Sequence, residues 1–389
     1  MSSSSAEPRH TISALIRGLP PSCYDNPVWK GLLYFTRDVA IYAALLAALV
    51  LTDHPLALLV LWPLTGFAIS GLFVLGHDAA HGALFTSRRL CGIVGRLAML
   101  PSLHGFDVWI LGHNRIHHVH TGCEGRDFVW HPVTKAQYDA LTALQRLVHR
   151  IEWSVGGAGL YYLRAVWWER MIRLTPPDRY RAGFDRDRVL VYAFAAAFSA
   201  ALIAGGWAHY GRLAGGAWMW TKVFALPWLC WNHTIGVTVY VHHIGPHCVW
   251  RSRDAWQRVA AQTETTTNLI VPRWYNVFAH NIYWHVPHHV DPRIPFYNLP
   301  QAAAALGATL GTTPYAVRLR LRDYVRTTRT CKLYDFARET WCGYDGVAVS
   351  TARRHAAVPA ARERRCDHAT DSAAPVARAA PRNMPRPYV

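Results

Sequence analysis

The chain has 389 residues, of which 51% are hydrophobic and only 17% charged; it carries 17 tryptophans and a net charge of +17. Such an apolar and aromatic excess excludes a disordered chain and a coiled coil, and exceeds what a water-exposed surface normally carries. A mean hydropathy of +0.04 excludes a dense bundle of spans and leaves a few membrane helices joined to a large polar part.

Residues 1–28 are polar, contain Pro20-Pro21, and are expected to form a loose arm with no signal core behind MSSSSAEPRH. A first span is expected at about 32–52, with Arg37 snorkelling to the interface. Asp53-His54-Pro55 reads as a turn, and a second span follows at about 56–76. Residues 82–188 are polar and rich in Trp and Arg. Their amphipathic segments Ala140–Val148 and Tyr161–Ile172 are expected to lie on the membrane surface. A third span is expected at 189–208, a turn around 210–215, and a fourth span at 217–241 with Trp218 and Trp220 at its mouth. Residues 242–350 are polar and mixed. Residues 351–389 have too little apolar surface to fold and read as a disordered basic tail.

The eight cysteines form no CxxC pair, which argues against a zinc knuckle and a thioredoxin-like motif. The positive charge suits an anionic leaflet better than nucleic acid once spans are present, and no nucleic-acid partner is expected. The 82–188 stretch holds fifteen Lys and Arg, against none at 53–55 and only Arg212 at 209–216. The positive-inside rule then puts both turns outside, and both termini and both polar stretches in the cytoplasm. The fold class expected is an all-α integral membrane protein. About four transmembrane helices are capped by a cytoplasmic helical domain (residues 29–350 in all).

Histidines gather where spans end. They are His77 and His81; His113, His117 and His118; His285, His288 and His289; and the pair His242-His243. On an α-helix, residues four apart share a face, so His77/His81 and His113/His117 each aim two imidazoles at one point. His118 adds a neighbour. Pro287 suits the start of a helix with His288 and His289 in its first turn. Imidazole suits iron, copper, zinc and nickel. Eight clustered histidines and a ninth from span four exceed the needs of one ion and suit two. Isolated histidines such as His54, His104, His149 and His209 read as interface anchors. His10, His355 and His368 fall in the tails.

GHDAAHG at 76–82, HNRIHHVHTG at 113–122 with RDFVWHP after it, HHIGPH at 242–247 and PRWYNVFAHNIYWHVPHHVDPRIPFYNLP at 272–300 resemble the membrane fatty-acid desaturases. The similarity is to the acyl-lipid omega-6 (Δ12) type, over roughly residues 35–310. It implies an enzyme with two iron ions that uses O2 to insert a cis double bond into a lipid-linked acyl chain. The implied ligands are His77, His81, His113, His117, His118, His285, His288 and His289, with His243 as the ninth and His242 its rival. His280 is expected beside the ligands, and Asp78, Asp127 and Asn281 are candidates to orient imidazoles. No haem motif is present, so electrons are expected from a separate carrier, ferredoxin in bacterial relatives. The implied location is a bacterial inner membrane with the histidines on its cytoplasmic face. A di-iron fatty-acid or alkane hydroxylase or a carotenoid oxygenase is the alternative with the same boxes.

Overall fold

The computed structural model describes residues 11–310 and 316–351. The first ten residues of the expected arm and the expected tail from 352 onward lie outside it. Helix α1, Val28–Leu51, follows Pro27, and helix α2, Pro55–His81, begins on Pro55. Proline suits a first turn, where its missing N–H has no helical partner to lose. The 27 residues of α2 span about 40 Å at 1.5 Å each, and so continue well past residue 76 to carry His77 and His81. Gly82, at φ +72°, ends α2 in the left-handed conformation that closes helices.

Helix α3, Asp178–Tyr210, has 33 residues and starts eleven residues before the expected span. That length exceeds the roughly 30 Å of a hydrocarbon core. Its charged first turns are held instead by Arg96, which donates to Asp187 at 2.8 Å and to Asp107 at 2.7 Å.

Helix α4, Leu213–Trp220, runs through a π-turn at Thr221–Ala225 into helix α5, Leu226–His243. Among the described residues, three helices are long and apolar enough to cross a bilayer: α1, α2 and α3. The fourth expected span is helical throughout but is not one such helix. The π-turn divides it, and Lys222, Asn232 and His233 make it more polar. Helix α5 packs on α2 at close range. A Cβ at Gly66 of α2 would stand 2.8 Å from Trp231 N, so only glycine permits that approach.

Two other expectations need correction. The fold is not purely helical. Asn268–Ile270 pairs in parallel with Ala316–Arg318, and Leu333–Asp335, Thr340–Cys342 and Ala348–Thr351 form an antiparallel sheet. The arm is not loose where it is described. Ile12–Arg17 is a helix capped by the Thr11 side chain, and Ile12 and Leu15 are buried in the main core.

The amphipathic segments divide. Ala143–Glu152, opened by a Thr142/Gln145 capping box, exposes Leu144, Leu147 and Ile151. The Tyr162–Ile172 segment instead turns Tyr162, Val166 and Met171 inward.

Candidate metal centre

All nine expected histidines converge at the end of α2 and α5. They fall into two adjoining groups. His77, His81, His113, His118 and His288 bring one nitrogen each to within 4.8 Å of one another, and so do His117, His243 and His289. His285 Nε2 stands 3.1 Å from His289 Nε2, at the edge of the second group.

Local backbone geometry makes this division. In α2, His77 and His81 share a face as the four-residue spacing predicts. The second box does not follow that rule. Ile110–His117 is a π-turn, wider than an α-turn. It brings His113 and His118, five apart, to an Nε2–Nε2 distance of 3.0 Å, and sends His117 to the other group. In the short helix His285–Val290, His285 and His289 meet on one face while His288 turns to the first group.

Carboxylates inside and after the boxes hold the rings. His77 Nδ1 is 3.0 Å from Asp78 Oδ1, and Asp78 Oδ2 accepts from Phe296 N at 2.7 Å. His117 Nδ1 is 2.9 Å from Asp127 Oδ1, and the Asp127 carboxylate also accepts from Gly122 N and Val129 N. A carboxylate only accepts, so both rings carry hydrogen on Nδ1 and a lone pair on Nε2. Burial alone raises the Asp127 carboxyl. The His117 ring and the donors around it outweigh this and hold it below its ordinary value.

This donor set fits metal. His77 Nε2 stands 2.9 Å from His113 Nε2, and His118 Nε2 stands 3.1 Å from His288 Nε2. With imidazole–metal bonds of about 2.0–2.1 Å, two ligands at right angles lie about 2.9 Å apart. Where both nitrogens of a pair present lone pairs, that spacing suits a cation held between them. Burial first, and neighbouring histidines second, push His113, His118, His285, His288 and His289 well below the usual imidazole range, which favours neutral rings able to offer a lone pair to a metal.

The other expected residues divide. His242 is buried and belongs to neither group; its ring stacks on His285 at 3.9 Å between centroids. His280 is not among the clustered rings. It pairs with Asp38 of α1 at 2.5 Å, beside Arg37. Asn281, expected to orient a histidine, exchanges hydrogen bonds with Asn276 instead, because both close the same turn. Sequence reasoning missed Gln262, whose Oε1 lies 2.9 Å from His289 Nδ1, and Thr265, whose carbonyl lies 3.3 Å from His243 Nδ1. Neither lies in a spacing pattern that marks it.

A mainly apolar cavity, partly open to the outside, runs beside both groups. His77, His113, His117, His242, His243 and His285 line it together with apolar residues that include Phe73, Val74, Trp109, Val166, Met171 and Ile235.

A fatty acid desaturase family model matches residues 53–320. The chain is 32% identical to a sn-1 oleoyl-lipid 12-desaturase of Picosynechococcus, over 84% of this chain and 91% of that protein. It is 30% identical to a chloroplastic omega-6 fatty acid desaturase of Glycine max, over 85% and 75%. It is 27% identical to a ferredoxin-named sn-1 acyl-lipid omega-3 desaturase of Nostoc, over 77% and 81%. With its histidines in two groups along an apolar cavity, the chain belongs to the fatty acid desaturase family and is an O2-dependent oxidoreductase of fatty acyl chains.

Proposed function

We propose that the chain is an acyl-lipid Δ12 (omega-6) desaturase with two iron ions. One is held by His77, His81, His113, His118 and His288, the other by His117, His243, His285 and His289. The observation that carries this reading is the gathering of histidine nitrogens into a group of five and a group of three with His285 beside it, both groups contributing rings to an apolar cavity. The relatives' names support the lipid-linked oleoyl substrate and position 12.

Bound iron supplies O2 activation and the oxidation of the acyl C–H bonds. The chain's own residues do the rest. Phe73, Val74, Val166, Met171 and Ile235 bind the methylenes and exclude water. Asp78 and Asp127 keep hydrogen on Nδ1 of His77 and His117 and so fix ring direction. The acyl chain loses two hydrogen atoms, which is two protons and two electrons, and two further electrons with two protons from solvent complete the reduction of O2 to two waters. Those come from a separate carrier of ferredoxin type, in keeping with the name of the Nostoc relative.

The protein is a multi-pass protein of a bacterial inner membrane. The α4–α5 segment is its fourth span, and the histidine end faces the cytoplasm, as the basic 82–188 stretch supports. The domain is residues 29–350. Exposed Leu144, Leu147 and Ile151 beside Arg146 and Arg150 suit an interfacial helix.

The test is expression in a host whose lipids hold only saturated, palmitoleoyl and oleoyl chains, with mass spectrometry of double-bond position. A new 9,12-diene on lipid is expected. A hydroxylated acyl chain, or a diene with its second bond elsewhere, overturns the assignment.

A further inference from the structure

We infer that Gln262 is a positioning residue of the metal centre: its amide fixes the tautomer of His289 and ties the two histidine groups to each other. The inference rests on the metal reading above.

Gln262 lies on the helix Arg258–Glu264, outside all the histidine boxes, and is 2% exposed. Its Nε2 donates to the His118 carbonyl at 2.9 Å, and its Oε1 faces His289 Nδ1 at 2.9 Å. Thr121 Oγ1, which donates to the His117 carbonyl at 2.8 Å, is a further neighbour of Oε1 at 3.3 Å and of His289 Nδ1 at 3.3 Å.

The direction of the amide follows from one fact. A backbone carbonyl only accepts, so the amide nitrogen must face His118 O. The amide oxygen must then face His289, and His289 Nδ1 must carry the hydrogen. His289 Nε2 is left with its lone pair, aimed toward His285 and the second group. The reverse orientation would press an amide oxygen against a carbonyl oxygen.

Gln262 therefore does for His289 what Asp127 does for His117, but without charge. Each histidine group keeps one orienting carboxylate, Asp78 in the first and Asp127 in the second. A single side chain also touches a residue of each group, His118 through its backbone and His289 through its ring. That bridge sets the offset between the second and third boxes, which arrive on separate elements 170 residues apart.

The experiment is a cobalt(II) titration of the metal-free, full-length protein in detergent, followed by visible absorption. The wild type is expected to bind two equivalents. In Gln262→Met the second equivalent should bind roughly 10- to 100-fold more weakly, the usual effect of losing an orienting partner. The first equivalent should be unchanged. Gln262→Glu keeps an acceptor for His289 but sets its other oxygen against the His118 carbonyl, so it should restore the second site only in part, yet more than Gln262→Met. Should Gln262→Met not purify, Gln262→Asn, too short to span both partners, carries the same comparison. Two unchanged sites in Gln262→Met, or equal weakening of both, overturns the inference. A wild type that binds neither cobalt nor iron overturns the metal reading itself.

Discussion

Lys222 Nζ donates to Asp53 Oδ1 across 2.8 Å at the end of the bundle opposite the histidines. The lysine side chain is fully buried, while the aspartate is 48% exposed. Nζ also donates to Thr52 O at 2.9 Å, and Tyr210 and Trp218 donate to the same carboxylate. The contact joins the α1–α2 turn to the π-turn between α4 and α5, and Tyr210 and Trp218 bring the end of α3 and α4 to the same carboxylate.

The two partners are not equivalent. Asp53→Asn strands a buried ammonium, whereas Lys222→Met leaves a carboxylate that water reaches. Breaking a buried pair costs about 3–5 kcal/mol, and solvent screening at the exposed partner reduces this to about 1–3 kcal/mol. Thermal unfolding in detergent should place Asp53→Asn below Lys222→Met. Hydrogen bonds from Lys222, then Tyr210 and Trp218, hold the Asp53 carboxyl down at about 2 against an ordinary 3.8. A depressed carboxyl stabilises fully above its unfolded value, so the deficit of Asp53→Asn should be constant from pH 5 to 8 and close only as pH falls from about 3.8 toward 2. A deficit that changes between pH 6 and 8 would count against this pair.

His243 and His242 are neighbours with different duties. His243 sits with His117 and His289, whereas His242 stacks on His285. His243→Ala should retain about one iron of two and lose desaturation. His242→Gln should retain both irons with reduced activity. Iron by plasma emission and acyl analysis of the same preparations decide it. Full iron in His243→Ala would remove it from the ligand set.

His280 should behave as a structural residue. It occupies φ 49°, and Arg37, which donates to the Val277 carbonyl at 2.8 Å, shares its Asp38 partner. His280→Ala loses the buried hydrogen bond and strains the left-handed backbone, a combined cost of about 1–3 kcal/mol. Asparagine tolerates that backbone, so His280→Asn should be milder. Both should purify with about two irons, and loss of iron without loss of thermal stability would make His280 a ligand after all.

Topology can be checked without activity. Reporters placed after Val389 and near Lys135 should both read cytoplasmic, and one at Arg212 should read outside. An outside signal at Lys135 would contradict the orientation and the four-span reading together.

The nine histidines are legible because they recur at short spacings beside span ends, and the chain brings all nine together. Their division is not legible. No residue type demands a π-turn at Ile110–His117, and an α-helical reading pairs His113 with His117 rather than with His118. The fourth expected span blurs for a comparable reason: Lys222 is tolerated inside because the C-terminal end of α1 offers it the carbonyls of Val50 and Thr52. Strands of three or four residues are too short to show alternation. Gln262 is invisible because its partners are a carbonyl and a ring supplied by distant segments.

The π-turn makes the second box a matter of counting as well as chemistry. One residue rotates a helix by about 100°. Deleting or adding a single residue within Ile110–His117 would therefore leave every histidine in the chain and still carry His117 and His118 to the wrong partners. Substitution at half-buried Asn114 or exposed Arg115 leaves the phase intact, whereas a one-codon change of length beside them does not. Lineages of this protein should accordingly vary in the letters of this segment while keeping its number of residues.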